Sequence, residues 1–99
     1  MTGLQSSGRL HIGNYLGALK PFVNLYAEYE SMLMVADYHA LTSLKDPAAV
    51  REGIVDVVAD YLAIGVDPTK ATIFKQSDVL EHTELAWIFD CLVTVPFLQ

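Results

Sequence analysis

Ser31-Met32-Leu33-Met34-Val35-Ala36-Asp37 is an apolar run too short for a helix. It reads as a buried strand of a parallel sheet that exits at Asp37-Tyr38-His39. Parallel strands need crossovers, and both flanks carry helical patterns. Upstream, residues 11–29 read as a helix, with Ile12, Leu16, Leu19, Val23 and Tyr26 close to a 3.6 period. Pro21 removes one hydrogen bond there, which predicts a kink or an early stop. Downstream, Asp46 is an N-cap and Pro47 a first helical position. The helix they open carries Val50, Ile54, Val57, Val58, Tyr61 and Leu62 on one side. Arg51, Glu52, Asp56 and Asp60 lie largely on the other.

Gly65 stops that helix, and Val66-Asp67-Pro68 turns the chain. Ala71-Thr72-Ile73-Phe74-Lys75-Gln76 is a second strand, followed by Ser77-Asp78. A third helix, about Glu81 to Val93, is expected to pack through Leu85, Ile88, Phe89 and Leu92. The chain then runs out at Val95-Pro96-Phe97-Leu98-Gln99. Strands alternating with helices of this length mean βαβ units. The fold class is α/β, built on a parallel sheet. Such sheets bind ligands at the carboxyl ends of their strands. Those ends are Asp37-Tyr38-His39 and Gln76-Ser77-Asp78, on the same edge as the opening loop.

At 99 residues, 53% hydrophobic and 18% charged, the chain forms a core and is one domain at most. Its net charge of −6 argues against a free-standing nucleic-acid module, which presents a basic face. Cys91 stands alone, which leaves no disulfide framework or thiol zinc cluster, and a reduced, cytoplasmic setting fits best. Residues 1–10 lack the basic and apolar regions of a signal peptide. No apolar stretch approaches the ~20 residues of a membrane span.

Gly3-Leu4-Gln5-Ser6-Ser7-Gly8-Arg9-Leu10-His11-Ile12-Gly13-Asn14 is the stretch that points to chemistry. It reads as a Gly/Ser-rich loop running into a helix start, where unpaired N–H groups and the positive helix end favour an anion. Ser6, Ser7, His11 and Asn14 add side-chain donors, and Gly8 and Gly13 leave room for a ligand. Each residue also has a plain structural reading. Gln5, Ser6 and Ser7 could form only a turn and cap. Gly13 and Gly17 could simply let the helix approach the sheet, and His11 and Asn14 could be solvated. The P-loop pattern is absent. His11, His39 and His82 lack metal-ligand spacing, so no protein-bound metal is expected. Asp37 and His39 resemble a base and its orienter, but no Ser or Cys nucleophile accompanies them.

His11-Ile12-Gly13-Asn14, preceded by Gln5-Ser6-Ser7-Gly8, resembles the HIGH-type signature of class I aminoacyl-tRNA synthetases. The run Gly3 to Leu19 is similar to the tryptophanyl branch in particular. Ala36-Asp37-Tyr38-His39-Ala40-Leu41-Thr42, Tyr61-Leu62-Ala63-Ile64-Gly65-Val66-Asp67-Pro68 and Ile73-Phe74-Lys75-Gln76-Ser77-Asp78-Val79 agree with it. The resemblance spans essentially the whole chain and implies the HIGH-type nucleotidyl-transferase fold, a Rossmann-like, doubly wound parallel sheet of which this is the N-terminal βαβα half. It further implies ATP-dependent activation of L-tryptophan to the adenylate, transfer to tRNA(Trp), magnesium arriving with ATP, and a homodimer at full length. By resemblance, Gln5, Ser6, Ser7, Gly13 and Asn14 bind ATP, and His11 and Asn14 are the catalytic pair. Gly13 would be required because a side chain would crowd the adenosine. His39 is a candidate wall of the amino-acid pocket, with Gln76 a weaker one, and His82 is read as structural.

The family usually has Pro where Ser6 sits, which implies a less rigid loop. A KMSKS-like lysine loop, the anticodon-binding helices and the indole-recognising aspartate are not found in these residues. The first strand is expected to be cut to Met1-Thr2, leaving one side of the strand at 32–37 as an open edge and the piece poorly stable alone. The chain therefore reads as an N-terminal piece of a synthetase. The alternatives are a tyrosyl-tRNA synthetase piece, and a non-catalytic nucleotide-binding or dimerisation piece.

Overall fold

Three parallel strands in the order β1-β2-β3 form the sheet: β1 (Thr2–Gln5), β2 (Ser31–Ala36) and β3 (Ala71–Lys75). This computed structural model describes residues 1–8, 10–94 and 97. The predicted end of the chain at 95–99, except Phe97, lies outside the described residues. β2 is central, as its unbroken apolar character requires, with Leu33 and Val35 fully buried.

The first strand corrects an expectation. Thr2, Gly3, Leu4 and Gln5 stand opposite Leu33, Met34, Val35 and Ala36, so β2 is paired along both sides and is not an open edge. Thr2-Gly3-Leu4-Gln5 has no side-chain periodicity to announce a strand. Its main chain is what pairs.

Pro21 is accommodated rather than obeyed. The helix runs on as α1 (Ile12–Asn14), a π turn (Tyr15–Leu19) and α2 (Lys20–Leu25). Lys20 donates to the Tyr15 carbonyl, five residues back. That widened turn lies directly before the proline, where an α ladder would lose a donor and drive the ring into a carbonyl. Leu19 anchors the segment in the core, whereas Ile12 and Leu16 of the predicted apolar set are exposed.

α3 (Asp37–Ala40) follows β2 without a gap, and α4 (Pro47–Ala63) starts as predicted, with Asp46 Oδ1 accepting from the Ala48 N–H at 3.0 Å. α4 ends in a Schellman motif: Gly65 and Val66 donate to the carbonyls of Leu62 and Tyr61, both at 3.1 Å. Gly65 sits at φ +96°, a conformation that favours glycine, and Val66 is buried behind it. Val57 and Tyr61 of α4 join Leu19, Leu33, Val35, Val66 and Ala71 in one cluster, flanked by Phe22, Val23 and Tyr26. Both crossover helices thus contribute to one cluster with β2.

A 3-10 turn (Gln76–Asp78) leads from β3 towards α5 (Glu81–Leu92). The packing expected of α5 is not found. Leu85, Ile88, Phe89 and Leu92 are 51–73% exposed, and no α5 residue is buried. The helical period was real, but no described element faces it.

Candidate functional site

All three strands point the same way, so Gln5, Asp37 and Gln76 come to one edge of the sheet. There the chain builds a cleft of about 270 Å³ lined by Leu4, Gln5, Ser7, Gly8, Leu10, His11 and Asn14. A larger hollow of about 580 Å³ lies at the opposite edge, where Thr2 and Ser31 begin their strands, beside Pro21, Phe22 and Tyr26. It holds none of the predicted site residues.

The start of α1 is closed by a reciprocal cap. His11 Nδ1 accepts from the Gly13 N–H at 3.1 Å, and Asn14 Oδ1 accepts from the His11 N–H at 3.1 Å. A backbone N–H can only donate, so Nδ1 carries the lone pair and the neutral ring has its proton on Nε2. Among the described residues, the cap leaves the His11 Nε2–H and the Asn14 Nδ2 amide as uncommitted donors on residues that line the cleft. Gly13 is needed for a reason the sequence did not give. A Cβ there would stand 2.9 Å from His11 Cε1 and 3.0 Å from Nδ1, and would push the ring off its cap.

Ser6 does not reach the cleft. It is fully buried, its Oγ has no hydrogen-bond partner among the described residues, and it borders a separate hollow with Leu44, Ala49, Glu52 and Gly53. Its carbonyl lies against the Gly53 Cα in the middle of α4, where a Cβ would collide with it. The ATP-binding role that resemblance gave Ser6 has no exposed side-chain atom to carry it.

The strand ends are tied together across the sheet. The Gln5 Nε2 amide donates to the His39 carbonyl at 3.2 Å, and the His39 N–H donates to Gln76 Oε1 at 3.2 Å. Asp37, 7% exposed, accepts on Oδ1 from the N–H groups of Tyr38 (3.1 Å) and Ser77 (3.0 Å). Asp37 is thus held by main chain, and no hydrogen bond joins it to His39. The base-and-orienter pair does not form. Lys75 and Asp78 pair at 3.0 Å. The hydrogen bond between them holds the Asp78 carboxyl below the usual carboxylate range and raises the Lys75 ammonium. His82 Nδ1 lies 3.5 Å from the Gln76 carbonyl, on the helix side of the same edge.

Sequence reading missed Tyr61 and Gly53. Tyr61 was counted as an apolar face residue, yet its hydroxyl ties β1 to β2. A tyrosine at a core position needs a partner for its polar tip, and that was the available signal. Gly53 interrupts a strong helical pattern, which itself asks for a packing reason.

A parallel α/β sheet with a donor-lined cleft between a strand's carboxyl end and a helix start defines the class of Rossmann-like folds. The profile of one family, tRNA synthetases class I (W and Y), matches residues 1–99, and the chain belongs to that family. The chain is 50% identical over its full 99 residues to a tryptophan–tRNA ligase of Fusobacterium nucleatum, and 50% identical to one of Caulobacter vibrioides. It spans 30% and 29% of those proteins. Among solved structures, it is similar to the tryptophanyl-tRNA synthetase of Mycoplasma pneumoniae (TM-score 0.88, 37% identity, 96% of this chain and 28% of that one). It is also similar to that of Campylobacter jejuni complexed with ADP and tryptophan (TM-score 0.86, 40% identity, 96% of this chain and 30% of that one).

Proposed function

We propose that the protein carrying this segment activates L-tryptophan with ATP and ligates it to tRNA(Trp). The observation that carries this reading is the His11–Asn14 cap, which leaves two N–H donors at the mouth of a strand-end cleft. Attack of a carboxylate on the α-phosphate needs alignment and charge stabilisation more than proton transfer. His11 Nε2–H and Asn14 Nδ2 would donate to phosphate oxygens as negative charge builds on them. Ser7 adds a hydroxyl from the loop, and Gln5 stands at the wall shared with His39. Gly13 keeps the His11 ring seated. His39, at the end of the next strand, belongs to the amino-acid side, and Gln76 Oε1 holds its main-chain N–H from the β3 side. Similarity to a synthetase solved with ADP and tryptophan supports both ligands.

Among the described residues no group of three or more His, Cys, Asp or Glu side chains is placed to hold a metal ion. Magnesium arriving with ATP belongs to this proposal and rests on family resemblance. The net charge of −6 fits a segment that does not itself grip tRNA. A cytoplasmic location and a homodimer belong to the same proposal and rest on family resemblance.

The test is ATP–pyrophosphate exchange with tryptophan or tyrosine as the amino acid. Tryptophan should drive exchange and tyrosine should not. Equal rates with both would reverse the specificity, and none with either would end the reading.

A further inference from the structure

We propose that Gln76 is a positioning residue. It grips the His39 main chain from the β3 side while Gln5 grips it from the β1 side, and it acts on the amino-acid pocket through His39 rather than by touching substrate. The pocket assignment rests on the function proposed above. The clamp itself is geometry.

α3 begins at the residue after the last of β2, with no loop in which to place a cap, and its first N–H groups have no partner within the helix. Asp37 Oδ1 takes the Tyr38 N–H, and Ser77 donates to the same oxygen. The next N–H, of His39, is met from another strand: Gln76 Oε1 accepts it at 3.2 Å, across 37 residues of sequence. Gln76 therefore does for α3 what an N-cap side chain does for an ordinary helix.

The other end of His39 is held differently. Its carbonyl accepts from Gln5 Nε2 at 3.2 Å and from Thr42 Oγ1 at 2.9 Å. If a nucleotide draws the Gln5 amide into the cleft, Thr42 still satisfies that carbonyl. No second side chain accepts from the His39 N–H among the described residues. Gln76 is thus the fixed jaw and Gln5 the releasable one.

This makes a chemical demand on Gln76 that a substrate contact would not make. Among the described residues only its oxygen is used, as an acceptor, so glutamate meets the demand and methionine, of similar shape, does not. Gln76→Glu and Gln76→Met are compared in the protein carrying this segment, at a pH where the new carboxylate is ionised. Amide hydrogen exchange is read at His39, and tryptophan-dependent pyrophosphate exchange is read for KM and kcat. Gln76→Glu should keep His39 protected and leave the tryptophan KM within about twofold of wild type. Gln76→Met should lose the protection and raise the tryptophan KM by about tenfold, the worth of one lost hydrogen bond, with the ATP KM little changed.

An impaired Gln76→Glu protein would show that the amide NH2 is what matters and would overturn the clamp, even if Gln76→Met fails to fold. A Gln76→Met protein with unchanged tryptophan KM would also overturn it. Should the wild type show no tryptophan-dependent exchange, the function above fails and His39 still decides the clamp. Protection in Gln76→Glu with loss in Gln76→Met supports the clamp, and protection in both refutes it.

Discussion

The Tyr61 hydroxyl accepts a hydrogen bond from the Leu4 N–H at 3.1 Å, across 57 residues of sequence. The same hydroxyl donates to the Met34 carbonyl at 3.0 Å, so a side chain of α4 ties β1 to β2 at the penultimate residue of β1. The bond explains how a strand of four residues, which lacks a side-chain pattern of its own, is held in register.

Tyr61→Phe should lower stability by about 1–3 kcal/mol, because it removes a buried donor and leaves the Leu4 N–H short of an acceptor. Urea unfolding at neutral pH measures this. A midpoint equal to wild type would mean that the hydroxyl contributes nothing to joining the strands.

Burial pushes the Tyr61 phenol from 10.0 up to about 12, opposed only partly by the Leu4 N–H. A pKa raised in the folded state means that the unfolded chain loses this proton first. Its contribution is fully present below pH 10.0 and is lost as pH rises towards about 12. The wild-type protein should therefore lose more stability than Tyr61→Phe across that window. Parallel curves for the two proteins would contradict the assignment.

Gly53→Ala in an exposed helix interior would raise stability by about 1 kcal/mol. Here the added Cβ meets the Ser6 carbonyl, and the loop must move to make room. The substitution should lower the melting temperature. A rise would show that the contact yields easily.

Ser6→Ala should leave stability unchanged or raise it by about 1 kcal/mol, since the buried Oγ has no partner to lose among the described residues. Chemical denaturation checks it. A clear loss would reveal a hydrogen bond to this hydroxyl.

Much of this fold was legible because its signals are local. Asp46-Pro47 marks a helix start, Gly65 a helix end, and the apolar run at β2 a buried strand, and all three stand where the sequence put them. β1 was not legible, because its evidence is main-chain pairing with residues some thirty positions away. In the site, residue types were readable and their duties were not. His11 and Asn14 were expected as ligand contacts and turn out also to cap each other. The Ser6 side chain is buried away from the cleft, and its carbonyl lies against α4, where Gly53 admits it. The apolar stripe of α5 has the right period, and period alone does not name a partner.

The measurement that bears most directly on the central claim is tryptophan-dependent pyrophosphate exchange by wild type and Asn14→Ala. The account predicts tryptophan-dependent exchange in the wild type and a loss on the order of 10²-fold in rate for Asn14→Ala, through the lost amide donor and the unseated His11 cap. Exchange at the wild-type rate in Asn14→Ala would contradict it, and would place the reacting phosphate away from the start of α1.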